Sequence, residues 1–425
     1  MKCDVAIIGG GMVGASLAVA LAPLRLSVVL IEAVPFESGL QPSFDERTTA
    51  LSNGSRRILT TLNTWAEAKA AATAIRKIHV SDQGRFGFAR IEAAELGLEA
   101  LGYLVPNRAL GRVLWTQLRA PVQGMPMQAA PVQAVPRIIC PGRVVEVEAG
   151  QDVARLQVDA GGERISIEAK LLVAADGINS EVREALGVSA ESHDYHQTAV
   201  ITTVLPKNFH EHVAYERFTA DGPLALLPLE DGRCSLVVTL KTEAVPTAMA
   251  WSDDEFLAEV QRRFGFRLGR LIKIGRRTAY PLRLSRAQRT SAPRCAIIGN
   301  AAQALHPVAG MGFNLGLRDV ASLAELIAER AGSESFDPGE RGLLDEYDAW
   351  RSTDRGGVIA FTDMLVRTFS NPLRSVRALR NLGLLAFDLA PPAKSALSRL
   401  STGATGRVPK LARGVPLSRG SAASR

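Results

Sequence analysis

Cysteine is scarce and scattered in this chain of 425 residues: Cys3, Cys140, Cys234 and Cys295 lie far apart, and no two form a C-x-x-C pair. That spacing argues against a disulfide framework or a cysteine metal cluster and suits a reducing, cytoplasmic setting. Long hydrophobic runs are also missing. No window reaches the ~18–20 apolar residues of a membrane span, so the expectation is a soluble or peripheral protein. There is no internal repeat. Histidines number six, and the two suggestive groupings, His193-x-x-His196 and His210-Glu211-His212, come without a third and fourth ligand at metal-site spacing. They are read as surface or loop residues, and no metal is expected.

Charge is unevenly spread. The chain carries +7, but Arg351 to Arg425 holds 13 Lys/Arg against 3 Asp/Glu, leaving the first 350 residues slightly acidic. The basicity belongs to the tail, and a nucleic-acid footprint along the chain is not indicated. With 47% hydrophobic and 22% charged residues, the composition is that of a folded protein with more than one core. Met1-Lys2 and the apolar run ending Ala18-Val19-Ala20-Leu21-Ala22 superficially resemble a secretory signal. Asp4, Gly9-Gly10-Gly11 and Gly14 interrupt that run and suit a phosphate loop better.

Those glycines begin the positive case. Asp4–Ile8 predicts a short buried strand, Met12–Leu24 a helix, and Ser27–Glu32 a second strand with an acidic end: β-α-β in about thirty residues. Between strand and helix lies Gly9-x-Gly11-x-x-Gly14. Gly9 permits the tight turn, Gly11 lets backbone approach a pyrophosphate, and Gly14 lets helix and strand pack closely, while the helix start attracts phosphate. Glu32 is placed to bind the ribose hydroxyls of an adenosine. This motif alone does not separate NAD from FAD.

Two later segments do. Ala174-Ala175-Asp176-Gly177-x-x-Ser180-x-Val182-Arg183 follows the apolar strand Lys170–Ala175. Cys295–Gly299 is another buried strand, followed by Asn300-Ala301-Ala302 and then His306-Pro307-x-x-Gly310-x-Gly312-x-Asn314-x-Gly316-x-x-Asp319. An NAD dehydrogenase has no use for a second glycine-rich strand–loop–helix so far downstream. FAD is extended, and its ribitol and ring need a second anchorage where Gly310 and Gly312 allow backbone approach and a helix start faces the ring. Elsewhere, Asp45–Leu62 predicts a loop entering a helix, His79–Ile91 a hairpin and Arg108–Leu118 a helix. Tyr195–Leu284 is mostly strands with a helix near Asp253–Phe264, and Asn314–Arg330 is a strong helix. Arg119–Gly142 predicts an irregular connection around one strand. Beyond Pro391-Pro392 the Ser/Arg/Gly-rich tail is expected to fray.

In these three motifs and in Asp45-Glu46-Arg47-Thr48-Thr49-Ala50-Leu51-Ser52, the chain resembles the class A FAD-dependent aromatic hydroxylases of the p-hydroxybenzoate hydroxylase superfamily. Within it, the likeness is to the ubiquinone-biosynthesis hydroxylase subgroup and runs from Asp4 to about Pro392. One departure is Gly299-Asn300 where most of the superfamily has Gly-Asp, with Gln303 in place of His. The Gly-Asn-Ala-Ala-Gln form is similar to that of the 2-polyprenyl-6-methoxyphenol hydroxylases. Asn300 can still hydrogen-bond a hydroxyl, without charge assistance. A second departure is Met311, where Gln is expected.

The resemblance implies an α/β fold: a Rossmann-type FAD-binding domain interleaved with a β-sheet-rich substrate domain, and a helical C-terminal extension. The corresponding division assigns 1–78, 101–187 and 286–350 to FAD binding, 79–100 and 188–285 to the substrate domain, and 351–425 to a basic helical region. The resemblance also implies that Arg47 contacts and gates the flavin, Arg108 lies near the phosphates, Glu32 binds the ribose and Asn300 the ribitol. Asp176, Gly177 and Arg183 belong to the motif shared between FAD and NADPH, although an arginine one turn into a helix is commonly a surface residue. Gly299 and Pro307 are further implied cofactor-binding residues, and Gly310 through Asn314, with Gly312 and Phe313 between them, line the isoalloxazine. His306 and Arg47 are the side chains considered for a catalytic part, with a structural role favoured for His306. The implied reaction uses NAD(P)H and O2 to hydroxylate a prenylated phenol through a C4a-hydroperoxyflavin. Implied partners are other enzymes of the same pathway and an anionic membrane face, which Val358–Phe369 and Val376–Leu389 with their arginines could approach. The same segments are equally consistent with helices packed on the FAD domain. An FAD-dependent reductase and a non-catalytic FAD-holding subunit remain alternatives on sequence alone.

Overall fold

The computed structural model describes residues 1–35, 47–119, 135–305, 310–333, 336–370 (backbone only from 365) and 406–418, together with six isolated positions between 383 and 394. Strand Lys2–Ile8, almost wholly buried, pairs in parallel with Val28–Ile31 on one side and Glu163–Ala174 on the other. The parallel array continues through Arg137–Ile139 at one edge and Cys295–Ile297 at the other. Such strands are covered on both faces, which is why VVLI and KLLVA read as unbroken apolar runs. Helices Met12–Leu21, Asn107–Arg119 and Met311–Arg330 pack together over one face around Leu17, Leu114, Trp115, Leu317 and Val320. A hairpin of Arg143–Ala149 and Ala154–Ala160 extends the sheet on the other face.

A second sheet runs in the order Gln303–Ala304, Thr278–Ala287, Ala190–Pro206, Cys234–Lys241, Pro223–Pro228, Val213–Phe218, Lys77–Asp82, Phe88–Glu92. The hairpin near residue 80 is thus added to the later strands through one parallel pairing, of Val213–Phe218 with Lys77–Asp82. Alternation divides this sheet into two faces. Val200, Leu224, Leu226, Leu236 and Val238 pack against helix Asp253–Phe264, whose start is fixed by a capping box between Ser252 and Glu255. The opposite face, with Ala199, Ile201, Ala225 and Val237, is left for a cavity.

A small sheet of Thr48–Ser52, Gly102–Pro106 and Thr73–Ile75 joins the two halves, and the Thr48 hydroxyl donates to Ser235 Oγ across the junction at 3.0 Å. Strand Thr48–Ser52 corrects the expectation of a plain loop before helix Asn53–Thr61. The fold class is therefore the expected one, an α/β dinucleotide-binding core interleaved with a β-rich unit, followed by the long helix Arg341–Ser370.

The end of the chain departs from expectation. Residues 406–418 do not fray: Leu411, Ala412 and Leu417 are buried in the main core. Thr61 donates its hydroxyl to the Leu411 carbonyl, and Lys410 and Arg407 pair with Glu325, Glu329 and Glu346. Apolar side chains at those positions, hidden in a Ser/Arg/Gly-rich context, outweigh the composition. No helix among the described residues is long and apolar enough to cross a membrane.

Candidate active site

At the first glycine turn, Gly9 has φ 102°, and a Cβ there would sit 2.3 Å from the Ala175 carbonyl oxygen. A Cβ on Gly14 would lie 1.9 Å from the Gly9 carbonyl, so only glycine lets helix Met12–Leu21 enter so tightly. That helix begins at Gly11 with no side-chain cap, and Gly9, Gly11, Met12 and Val13 line a cavity of about 1240 Å³. The N–H groups of its first turn and the positive end of the helix suit this wall to an anion. Glu32 ends the second strand on the same wall. Its buried carboxylate accepts from the Gly10 N–H at 2.6 Å and the Val34 N–H at 2.8 Å, while Trp115 Nε1 donates to the Gly10 carbonyl.

The cavity continues past Asp176, Gly177 and Asn300 to Gly310, Gly312 and Phe313, and then under the open face of the second sheet. The Asp176 carboxylate accepts from the Ser180 hydroxyl at 2.5 Å and the Val182 N–H at 3.2 Å. Burial nevertheless outweighs these bonds and holds its pKa above the ordinary carboxylate value. Arg47 lies between the two halves with its guanidinium carbon 4.7 Å from the centroid of the Tyr280 ring, a cation–π contact. Helix Met311–Arg330 starts at Gly310, again without a side-chain cap, and a Cβ on Gly312 would meet nothing within 4 Å. An extended dinucleotide with a planar ring fits this shape. Phosphates would lie at the first helix start, the adenosine toward Glu32, and the ring against the open space beside Gly312.

A buried ionic cluster holds the second glycine segment in place. Asp319, fully buried, accepts from the Gly299 N–H at 2.9 Å and from Gln303 Nε2 at 2.7 Å on one oxygen, and from Arg351 Nε at 2.7 Å on the other. Arg351 also donates to Asp354, which takes a second arginine contact from Arg318. Burial alone would lower the Arg351 pKa, but Asp319 and Asp354 outweigh it and raise it. Arg355 donates to the Ala287 and Ala302 carbonyls, tying the same turn to the long C-terminal helix.

Several expected residues stand elsewhere. The Asn314 side chain does not line the cavity. It accepts from the Ser52 N–H and donates to the Ala50 and Gly310 carbonyls, clamping strand Thr48–Ser52 to the helix start. Gly299 is buried behind Asn300, and Met311 packs with Leu305, Leu315 and Val358. Arg108 is exposed in the first turn of its helix, and the cavity-lining residue there is its neighbour Asn107, which accepts from the Thr49 hydroxyl at 2.7 Å. Arg183 is buried and not on the surface, donating to the Ile178 and Ala301 carbonyls and so linking the second and third motifs. His210 is likewise buried, bonded to the Leu229 carbonyl, and His212 bonds the Ala74 carbonyl. Asp45, Glu46, His306 and Pro307 lie outside the described residues. The Asp319–Arg351 cluster, Asn107 and Tyr280 are additions. Arg351 and Arg355 lie one turn apart in a helical segment, a spacing that would show one face but not its burial.

Comparison with known proteins agrees with this geometry. Residues 2–362 match the family model described as an FAD binding domain. The chain is 37% identical to ubiquinone hydroxylase UbiL of Rhodospirillum rubrum, over 97% of this chain and 93% of that protein. It is 32% identical to 3-demethoxyubiquinol 3-hydroxylase of Escherichia coli, over 91% of this chain and 95% of that one. The crystal structure of p-nitrophenol 4-monooxygenase PnpA from Pseudomonas putida shares the fold, with a TM-score of 0.75 at 18% identity, covering 93% of this chain and 97% of that structure. The chain belongs to the FAD-binding domain family and is an FAD-dependent monooxygenase.

Proposed function

We propose that this monooxygenase hydroxylates the ring of a prenylated phenol in ubiquinone biosynthesis, with a 2-polyprenyl-6-methoxyphenol as the preferred substrate class. The supporting observation is one continuous cavity: a polar dinucleotide cradle at one end, and at the other a sheet face of Ile78, Ala199, Ile201, Ala225, Leu227 and Val237. When bound, FAD supplies the redox chemistry, taking electrons from NAD(P)H and activating O2.

The chain's residues do the rest. Gly9, Gly11 and Gly14 shape the pyrophosphate turn, Glu32 faces the ribose, Asp176 and Gly177 form the middle wall, and Asn300 offers its amide to the ribitol. The start of helix Met311–Arg330 favours negative charge beside Gly310–Phe313. Arg47, stacked on Tyr280, holds the junction between ring and substrate walls. The apolar sheet face excludes water and accepts both ring and prenyl chain.

The basic composition beyond Arg351 supports a cytoplasmic enzyme in peripheral contact with an anionic membrane, where such substrates reside and where neighbouring enzymes of the pathway would meet it. Arg351, Arg355, Arg407 and Lys410 do not contribute to it, since each is tied within the fold. Cosedimentation with phosphatidylglycerol vesicles tests the membrane contact. For the reaction, purified flavoprotein should oxidise NAD(P)H faster when a prenylated methoxyphenol is added and release a hydroxylated product. Flavin reduction with no product from any phenol would reject the proposal.

A further inference from the structure

Among the described residues, the apolar half of the cavity contains one carboxyl without a partner. Strand Val213–Phe218 alternates, so Ala214 and Glu216 share the cavity face, and pairing sets Glu216 between Val80 and Ala225. Ala214 packs with Ile75, Leu104 and Ala50, and Ala50 is the residue a Cβ on Gly310 would meet at 2.9 Å. Glu216, two positions along the same face, lies roughly 7 Å from Ala214. It lines the same cavity as Arg47, Ala50 and Gly310 on the wall assigned to the flavin.

The other cavity carboxylates are engaged: Glu32 by Gly10 and Val34, Asp176 by Ser180 and Val182, Glu181 by Arg143. Glu216 has no hydrogen bond or ion pair among the described residues. The cavity reaches it, which leaves it part-exposed, and apolar Val80 and Ala225 flank it on the neighbouring strands. Burial pushes its pKa up to about 7, with no charged neighbour contributing. Among the described residues, the other ionisable groups lining the cavity are Arg47, Arg143, Tyr215, Tyr280 and Arg283.

We propose that Glu216 is the substrate-binding base of this site, its carboxylate accepting the hydrogen bond and then the proton of the phenol hydroxyl. The phenol O–H bond breaks with its electron pair left on oxygen, and the proton forms the O–H bond of the Glu216 carboxyl. The ring is thereby made electron-rich for oxygen transfer. This assignment rests on the phenol reading above.

The test compares FAD-loaded wild type with Glu216→Gln, using 2-methoxy-6-prenylphenol and its methyl ether as probes. Dissociation constants are read from the flavin absorbance change on both sides of pH 7. Wild type should bind the phenol more tightly as pH rises through about 7. Glu216→Gln should bind it roughly tenfold more weakly and without that pH dependence, and both proteins should bind the ether equally. Equal phenol binding by both proteins, or an equal loss for phenol and ether, overturns the role of Glu216 while leaving the phenol reading intact. If neither probe binds wild type, the phenol reading falls and this assignment with it.

Discussion

Two residues shape the glycine turns of the site for opposite reasons, one by having no side chain and one by burying a charged one. Gly14→Ala would drive a Cβ into the Gly9 carbonyl oxygen, 1.9 Å away. The turn must open, and FAD affinity should fall roughly tenfold or more, about 1.4 kcal/mol. The flavin-to-protein absorbance ratio after gel filtration measures it. Asp319 works through charge: it holds the Gly299 N–H, Gln303 and Arg351 at once. Arg351→Met would leave that carboxylate buried beside Asp354 without its cation. The expected cost is about 3–5 kcal/mol of unfolding free energy, measured by denaturant titration. Adding Asp319→Asn should recover part of the loss, because the two changes share one interaction.

Among the elements, the short returning segment 406–418 is the least expected and the easiest to test. Leu411 is 1% exposed between helix Asn53–Thr61 and the end of helix Met311–Arg330. Leu411→Ala should cost roughly 2–4 kcal/mol, seen as a lower thermal midpoint with FAD bound. A fraying tail would show no change. The contrast explains what was legible. Elements with strong periodicity or a glycine signature could be read directly: the βαβ unit, helix Asp253–Phe264 behind its capping box, and the strand before Asp176. Strand Thr48–Ser52 could not, since TTALS alternates too briefly and gains its place from Gly102–Pro106 across the small sheet. The site divided the same way. Gly9, Gly11, Glu32, Arg47, Asp176, Asn300, Gly310, Gly312 and Phe313 line the cavity. Asn314 turned inward because its amide satisfies three backbone groups, which no local pattern reveals. Glu216 was invisible because facing a cavity depends on how distant strands close over it.

For the molecule as a whole, a buried carboxyl held for function should weaken the fold. The Glu216 pKa is about 7 in the folded protein and near 4.5 when unfolded. Between those values the folded state binds more protons, so this group's contribution to stability falls as pH rises from 4.5 to 7 and is fully lost above 7. His79, held down to about 4 by burial and nearby arginines, works in the opposite direction over much of the same range. The wild-type profile alone therefore mixes the two. Subtracting it from the Glu216→Gln profile isolates the carboxyl: the variant should match wild type below about pH 4.5 and be more stable above pH 7 by up to ~3 kcal/mol. Denaturant titration at several pH values reads the difference, and a constant offset would remove the functional-strain interpretation.

The central claim is that the cavity joining the FAD cradle to the apolar sheet face serves oxygen insertion into a phenol ring. Turnover of 2-methoxy-6-prenylphenol under 18O2, followed by mass spectrometry of the product, tests it most directly. One 18O atom per product molecule, with none from labelled water, is the predicted result. A product without label, or NAD(P)H consumed entirely to hydrogen peroxide in the presence of bound phenol, would contradict it.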